Sequence, residues 1–169
     1  MDWRTFMKEL IFLKKLKIKG IIGLVEPSEE MGYSYLIKAE NCFLASKILF
    51  QNRLYENSTS EAYYCMYNSI LSLLFKVGIK SENHSASIIL FDKLFEDSEM
   101  TKIISWAKGE RIDKQYYTEN SQTTKVTKES CNEMILKSEN FLIKIKLLIN
   151  KISNEKTDFV RKGFTKLIR

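Results

Sequence analysis

Few residues in this sequence break regular backbone structure. The 169 residues include one proline and six glycines, and this scarcity excludes a β architecture rich in tight turns. Lysine, glutamate, leucine, isoleucine and serine are frequent instead, as is typical of long helices. Because 44% of the residues are hydrophobic and 12% are aromatic, a chain of this length can bury a continuous core as one domain. The composition predicts an all-α fold.

Cysteine and histidine are also scarce. The three cysteines, Cys42, Cys65 and Cys131, are odd in number and widely spaced, so neither a disulfide framework nor a zinc site is predicted. They are interpreted as small core residues of a protein in the reducing cytosol. The single histidine, His84, has no second histidine to complete a set of metal ligands. We expect no metal and no cofactor.

Long hydrophobic runs and a leader sequence are missing as well. The longest apolar runs, at 21–25 and 70–75, are far shorter than the roughly 20 residues of a membrane-spanning helix. The sequence starts with an acidic and an aromatic residue, Asp2 and Trp3, where a secretory signal has a basic and then an apolar region. These features predict a cytoplasmic protein that does not enter a membrane.

The balance of charge is moderately basic. Lysine and arginine outnumber aspartate and glutamate by 27 to 21, which gives a net charge of +6. We interpret the charges as alternating along the chain, without a single block of one sign. This pattern permits a nucleic-acid partner without requiring one.

Apolar residues recur at helical spacing along most of the chain. They predict a short basic helix that ends at two glycines, a helix over 27–51 and a shorter helix over 100–116. The helix after 58 carries a stripe of seven core candidates: Ala62, Cys65, Met66, Ser69, Ile70, Leu73 and Val77. A last long helix follows residue 127 with the most regular pattern in the chain. Long helices with short connections predict an antiparallel, up-and-down bundle of four to five helices.

Capping residues indicate where the predicted helices begin. Pro27 is placed as a first helical residue, and Asn57 or Ser58 is predicted to cap the helix that contains the seven-residue stripe. Ser81 is predicted to open the next helix, and Thr127 to cap the last long one.

These elements divide the chain into three predicted parts. Residues 1–26 form a basic N-terminal helix and loop, and residues 27–153 form the helical bundle. Residues 154–169 form a basic tail, for which a short helix and disorder are both left open. Residues 120–125 are polar without an apolar period and are predicted to be a mobile loop.

Four motifs follow one another in an order that is typical of a known family. Residues 36–49 resemble its opening A-x-x-x-L-x-x-A helix, and residues 62–67, Ala-Tyr-Tyr-Cys-Met-Tyr, resemble its aromatic Y-Y-A-x-[FY] stretch. Residues 78–84, Gly-Ile-Lys-Ser-Glu-Asn-His, resemble its G-I-x-x-x-x-H segment. Residues 111–116, Arg-Ile-Asp-Lys-Gln-Tyr, resemble its R-x-x-x-D-Y element. Over about 31–151 the chain is therefore similar to the HEPN domain family.

The resemblance implies a fold, partners and two kinds of activity. HEPN domains are bundles of four or five helices that form homodimers through their long helices. Some members are metal-independent ribonucleases, the toxins of pairs in which a minimal nucleotidyltransferase is the antitoxin, whereas others only bind nucleotides or partners. We therefore expect a homodimer, a minimal nucleotidyltransferase partner and an RNA or nucleotide ligand.

The resemblance also places a candidate catalytic pair at Arg111 and Tyr116. Family ribonucleases carry an arginine and, four to six residues later, a histidine. The histidine takes the proton of a ribose 2′-hydroxyl, and the arginine stabilises the charge that develops on the phosphate. Arg111 matches the arginine, but Tyr116 stands at the histidine position, and a tyrosine of pKa about 10 is a poor base at neutral pH. We expect little or no ribonuclease activity.

Other residues near Arg111 are candidates for binding. Lys108 and Lys114 are expected to add to its positive field, and Tyr117 lies next to the position at which partner nucleotidyltransferases attach AMP in some family pairs. A structural ion pair between Arg111 and a neighbouring acid, Asp113 or Glu110, is the alternative for the arginine.

His84, Tyr63 and Tyr64 remain as candidate family landmarks. His84 is interpreted as a packing or capping contact at a helix start. Tyr63, Tyr64 and Tyr67 are placed on different faces of their helix, one in the core and the others towards a dimer surface or solvent, with base stacking as the alternative. Three functions therefore stay open: a binding module that does not cut RNA, a ribonuclease that uses Arg111, and a helical adaptor without a nucleotide function.

Overall fold

The protein folds as seven helices and one small sheet within the part that is described. The computed structural model describes residues 3–115 and 126–169, with the side chains at 112–115 left aside. The elements in chain order are α1 (Trp3–Ile18), β1 (Ile22–Leu24), α2 (Glu29–Gln51), α3 (Tyr55–Lys76), β2 (Ile79–Ser81), α4 (His84–Phe95), α5 (Ser98–Gln115), α6 (Lys128–Asn150) and α7 (Asn154–Leu167). The prediction of an all-α bundle is confirmed. Within the described residues, no helix is long and apolar enough to cross a membrane.

Helix α3 is the centre of the bundle. It packs against α2, α4, α5 and α6, and all seven residues of its predicted stripe are fully buried. Residues outside that stripe, including Tyr63, Ser72 and Leu74, are fully buried too. A helix that is buried almost all round must be enclosed by other elements. The helices around α3 therefore surround it and hold the residues at its N-terminal half in fixed positions.

Three of the predicted helix starts are wrong, each for a local reason. Helix α2 begins after Ser28, whose hydroxyl accepts a hydrogen bond from the Met31 amide at 3.1 Å, so Pro27 lies before the cap. Helix α3 begins at Tyr55 without a side-chain cap. Ser58 is buried inside it, and its hydroxyl donates to the Ser46 carbonyl of α2 at 2.7 Å.

The third correction concerns the start of α4. Ser81 ends strand β2, and Asn83 caps α4 instead, with Oδ1 accepting from the Ala86 amide at 3.0 Å. The first residue of the helix is therefore His84. The prediction for Thr127 is confirmed, because Thr127 and Ser130 form a reciprocal capping box at the start of α6.

Two short strands join the N-terminal segment to the loop that precedes α4. Strands β1 and β2 are antiparallel, with Ile22 opposite Ser81 and Leu24 opposite Ile79. From the sequence, residues 21–25 are predicted to be either a loop or a short extended segment. The structure has the extended segment, as strand β1. The pairing fixes the segment immediately before His84.

The basic C-terminal residues are helical. Helix α7 packs on α4, and its Val160 and Phe164 are buried in the core. Arg161 reaches the β1–β2 region, where its Nη1 donates to the carbonyls of Val25 at 2.6 Å and Gly78 at 3.0 Å. Gly78 follows the C-cap of α3 with a φ of +75°, a conformation in which glycine is unstrained.

Candidate functional site

Aromatic side chains from α3 surround His84 at the start of α4. Tyr63 and Tyr67 are one helical turn apart, so both rings lie on the same side of α3. His84 stacks on Tyr67, with ring centroids 3.8 Å apart and planes 10° from parallel. Its centroid also lies 5.7 Å from that of Tyr63 and 6.1 Å from that of Tyr64. The three tyrosines therefore hold the imidazole in one orientation.

A hydrogen bond joins the imidazole of His84 to Tyr63. The Tyr63 hydroxyl lies 2.6 Å from His84 Nδ1. Tyr63 is fully buried, and burial raises the pKa of its phenol, so the hydroxyl stays protonated at neutral pH. When the phenol donates to Nδ1, neutral His84 carries its own proton on Nε2.

Helix α5 brings two cations to this aromatic cluster. Arg111 Nη1 donates to the Tyr64 hydroxyl at 3.0 Å, and its guanidinium carbon lies 5.3 Å from the ring centroids of both Tyr63 and Tyr64. Lys108 is three residues earlier, on the same face of α5, and hydrogen-bonds the Ser85 hydroxyl. The residues that meet here are called the Arg111 cluster: Tyr63, Tyr64, Tyr67, His84, Ser85, Lys108 and Arg111.

The charges of the Arg111 cluster favour an anion. Burial, followed by the positive charges of Arg111 and Lys108, lowers the pKa of His84. Burial and the neighbouring Arg111 also lower the pKa of Lys108. Burial opposes the charged form of each group most, and the neighbouring positive charges oppose it further, because each added proton increases a positive potential that is already present. A phosphate placed between these groups would relieve that potential and accept hydrogen bonds from them.

The structure places the predicted site residues as follows. It brings together Arg111, Lys108, His84, Tyr63 and Tyr64, which come from three helices. The interpretation of His84 as a packing contact at a helix start matches its stacking on α3. Predicted residues outside the described side chains are Lys114, Tyr116 and Tyr117.

The expected arrangement of the tyrosines is wrong in two respects, because Tyr63 and Tyr67 lie on the same side of α3 and Tyr67 is not at an outer surface. Tyr67 is buried and faces His84, so it does not reach an outer surface. Tyr64 is half-buried against Arg111. Sequence reasoning also missed Ser85, the partner of Lys108, although a serine directly after the histidine is adjacent to a residue that it did select.

Cysteines and acidic residues contribute no metal site in the described portion of the chain, where no group of three or more histidine, cysteine, aspartate or glutamate side chains could hold an ion. Burial raises the pKa of the Cys42 thiol to about 11 and that of Cys65 to about 12. Both thiols stay protonated at neutral pH and are poor nucleophiles. Cys65 and Cys131 lie in the core, as predicted, and Cys42 is half-buried.

Comparison with known proteins gives two matches. The model of the HEPN domain matches residues 33–148, a span that contains the Arg111 cluster. The chain is also 30% identical over 117 residues to a protein of Methanocaldococcus jannaschii named Putative toxin MJ0605. The aligned residues make up 68% of this chain and 85% of that protein. No solved structure matches.

Proposed function

Because this chain belongs to the HEPN domain family, we propose that it is the HEPN-type module of a toxin–antitoxin-like pair. Its partner in this proposal is a minimal nucleotidyltransferase, and its ligand is a nucleotide or RNA bound at the Arg111 cluster of a homodimer in the cytoplasm. The name of the archaeal relative supports the toxin part of the proposal.

The proposed binding site rests on two cations of α5 that lie next to aromatic side chains. Arg111 and Lys108 project from one face of α5 towards the hydroxyl of Tyr64 and the imidazole of His84. An arginine offers paired donors to a phosphate, and the half-buried ring of Tyr64 offers a surface on which a base can stack. The cluster thus has groups for both halves of a nucleotide.

Two exposed apolar stripes support the proposed homodimer. Neighbouring helices α2 and α6 are joined by an ion pair between Glu40 and Lys146. Each helix also exposes large apolar side chains along one line: Tyr33, Ile37, Leu44 and Ile48 on α2, and Leu136, Ile143 and Leu147 on α6. Apolar stripes of this length on adjacent helices are typical of a surface that a protein partner covers. A second copy of the chain is the partner that the family membership favours.

The position of His84 favours a second candidate function, a metal-independent ribonuclease. In such a reaction the ribose 2′-oxygen attacks phosphorus, its proton passes to a base, and the 5′-oxygen leaves with a proton from an acid. Arg111 would stabilise the charged phosphate. When Tyr63 donates to Nδ1, Nε2 of neutral His84 carries a proton, and this tautomer has no free nitrogen to act as the base. The Nε2–H group suits donation to a phosphate or a leaving oxygen, so binding is the better supported function.

Ligand titrations test the binding proposal. We expect AMP and short RNA to bind the wild type in low salt, and the Arg111→Ala form to bind both about tenfold or more weakly, since a charge-assisted contact is lost. Lys102→Ala removes an exposed lysine of the same helix and should leave binding unchanged. Equal affinity of all three forms, or no binding by the wild type, would favour the adaptor function.

A cleavage assay separates binding from catalysis. Purified protein is incubated with mixed RNA and a chelator, and compared with the Arg111→Ala, His84→Gln and Tyr116→His forms. We expect slow or no cleavage by the wild type, because loss of a general base costs roughly a hundredfold to ten-thousandfold in rate. Robust cleavage that disappears in both the Arg111→Ala and His84→Gln forms would establish the ribonuclease instead. Activity found only in Tyr116→His would support the binding module.

A further inference from the structure

The net positive charge of this chain resides in its two ends. Residues 1–19 contain six basic and two acidic residues, and residues 154–169 contain five basic and two acidic residues. Residues 20–153 contain 16 basic and 17 acidic residues. The middle of the chain therefore has a net charge of −1, and the ends together have +7. The matched HEPN span, 33–148, lies wholly inside the nearly neutral part.

Helix α7 concentrates its exposed cations on one side. Phe159, Lys162, Lys166 and Arg169 follow one another at intervals of three or four residues and are all exposed. Such residues lie in a row, with neighbours roughly 5–6 Å apart. Beside the row is a groove of about 350 Å³, lined by Leu24, Asp158, Arg161, Lys162, Thr165, Lys166 and Arg169.

Arg161 makes this groove a fixed feature of the fold. Its guanidinium donates to the carbonyls of Val25 and Gly78, so it ties α7 to the end of α3 and to the segment after β1. The exposed cations of α7 therefore sit on an anchored helix. Asp158 is the acidic residue among those that line the groove, and it lies towards the N-terminal end of α7.

The end of α1 carries further exposed cations. Lys15, Lys17 and Lys19 are exposed at or just beyond the last turn of α1. Leu24 of the groove is five positions after Lys19, a distance of at most about 18 Å for an extended chain. Helices α1 and α7 also both pack on α4. We call this region the terminal basic surface: Lys15, Lys17, Lys19, Lys162, Lys166 and Arg169.

We propose that the terminal basic surface binds the phosphate backbone of a single-stranded RNA that also reaches the Arg111 cluster. The row on α7 suits a linear polyanion, because its cations repeat at regular intervals. Exposed Phe159, with Lys156 Nζ 5.0 Å from its ring centroid, offers a base a surface to stack on. The choice of RNA over other polyanions rests on the function proposed for the Arg111 cluster.

The proposal predicts that ligand length matters. A domain of 169 residues has a radius of gyration of about 15 Å, so a 20-nucleotide RNA is long enough to pass over much of its surface, whereas AMP occupies one site. Contacts at the terminal basic surface should therefore strengthen the binding of the RNA and leave AMP unaffected.

Charge-reversal variants test this distinction. The K162E/K166E protein and a control, K102E/K128E, each change the net charge from +6 by four, and the control alters exposed lysines of α5 and α6. Fluorescence anisotropy with a labelled 20-nucleotide RNA and with a labelled AMP is measured over a range of salt concentrations. For K162E/K166E we expect RNA binding about twentyfold weaker near 0.1 M salt, with a salt slope smaller by about 1.4, since each lost phosphate contact on a single strand contributes about 0.7.

The AMP probe and the control variants distinguish failure of the terminal basic surface from failure of the Arg111 site. In the supporting outcome, AMP binding is unchanged in K162E/K166E, the control behaves as wild type, and K162Q/K166Q shows a smaller loss in the same direction. RNA binding that depends on Arg111 but not on Lys162 and Lys166 would overturn the terminal basic surface and leave the Arg111 proposal intact. The reverse dependence would overturn the Arg111 proposal and the idea that the same RNA reaches the Arg111 cluster, and would leave RNA binding at the terminal basic surface intact. Equal losses in the control, or binding to anionic phosphatidylserine vesicles in place of RNA, would also overturn the terminal surface as an RNA site.

Discussion

The imidazole of His84 is held between aromatic rings and near two cations. Tyr67 stacks on it and Tyr63 bonds its Nδ1, and burial, followed by the charges of Arg111 and Lys108, opposes its protonation. These contacts keep His84 neutral in a positive environment. A neutral imidazole with a proton on Nε2 can still donate a hydrogen bond to a phosphate oxygen. The residue that the family resemblance presented as a landmark is thus a member of the proposed site.

The environment of His84 predicts a lowered pKa for its imidazole. It should lie below its ordinary value of 6.5, and Arg111→Met should raise it, because one of the opposing charges is removed. Since the chain has a single histidine, NMR titration of tag-free protein observes only this imidazole. A pKa at or above 6.5 in the wild type would contradict the described environment.

The same shift predicts how stability depends on pH. Between the lowered folded pKa and the unfolded value near 6.5, the unfolded chain binds a proton on His84 that the folded chain does not. Stability contributed by neutral His84 is therefore complete above about pH 6.5 and is lost as the pH falls through the folded pKa. Urea unfolding of the wild type and of His84→Gln at pH 7.5 and 5.5 measures this contribution. The wild type should lose more stability than the variant between the two pH values, and equal losses would exclude a role for His84.

At the scale of elements, local patterns predicted the helices but only some of their first residues. The buried stripe of α3 and the cap at Thr127 follow from local patterns. Ser58 also has the local pattern of a cap, but its hydroxyl donates a hydrogen bond to the carbonyl of Ser46 on α2. Such a contact depends on how two helices pack. No spacing in the sequence reveals it.

The candidate site has the same limit. Arg111 was selected through its motif, yet its partner Tyr64 is 47 residues away. Lys108 and Ser85 are 23 residues apart. The sequence could select several members of the Arg111 cluster one by one, because each belongs to a recognisable motif. That they meet is a consequence of α3, α4 and α5 packing together, which no local pattern encodes.

Arg161 supplies a prediction about α7. Replacing it with Ala should remove the hydrogen bonds to Val25 and Gly78 and cost about 1.5–3 kcal/mol of unfolding free energy, the usual range for bonds to a charged group. Amide exchange should increase in α7 before it does in α3. Lys162→Ala, on the next residue and exposed, should change stability by less than about 0.5 kcal/mol.

A second variant tests the same anchor from the other side. A Cβ atom at Gly78 would lie 2.0 Å from Arg161 Nη1 and 2.5 Å from the Val25 carbonyl oxygen, in a backbone conformation that is itself strained for alanine. Gly78→Ala should therefore also increase exchange in α7. Unchanged protection of α7 in both variants would show that Arg161 does not anchor the helix.

At the scale of the whole molecule, charge and apolar surface are separated. The apparent alternation of charges along the chain conceals a nearly neutral middle and two basic ends. The exposed apolar stripes lie on α2 and α6, within the nearly neutral part. A surface with little net charge can meet an identical surface without strong repulsion, whereas the basic ends would repel each other. This separation favours association through α2 and α6 and leaves the ends for a polyanion.

The last prediction is the homodimer. Light scattering of the wild type at tens of micromolar should give twice the chain mass of 19.9 kDa. Leu44 and Leu147 are 57% and 55% exposed on α2 and α6, so Leu44→Glu and Leu147→Glu should leave the fold intact and produce monomers, because burying an unpaired carboxylate opposes association. Ile11→Glu, at a side chain of α1 that is 50% exposed, is the matched control and should remain dimeric. A monomeric wild type would contradict the dimer, and dissociation in the Ile11→Glu form alone would move the interface from α2 and α6 to α1.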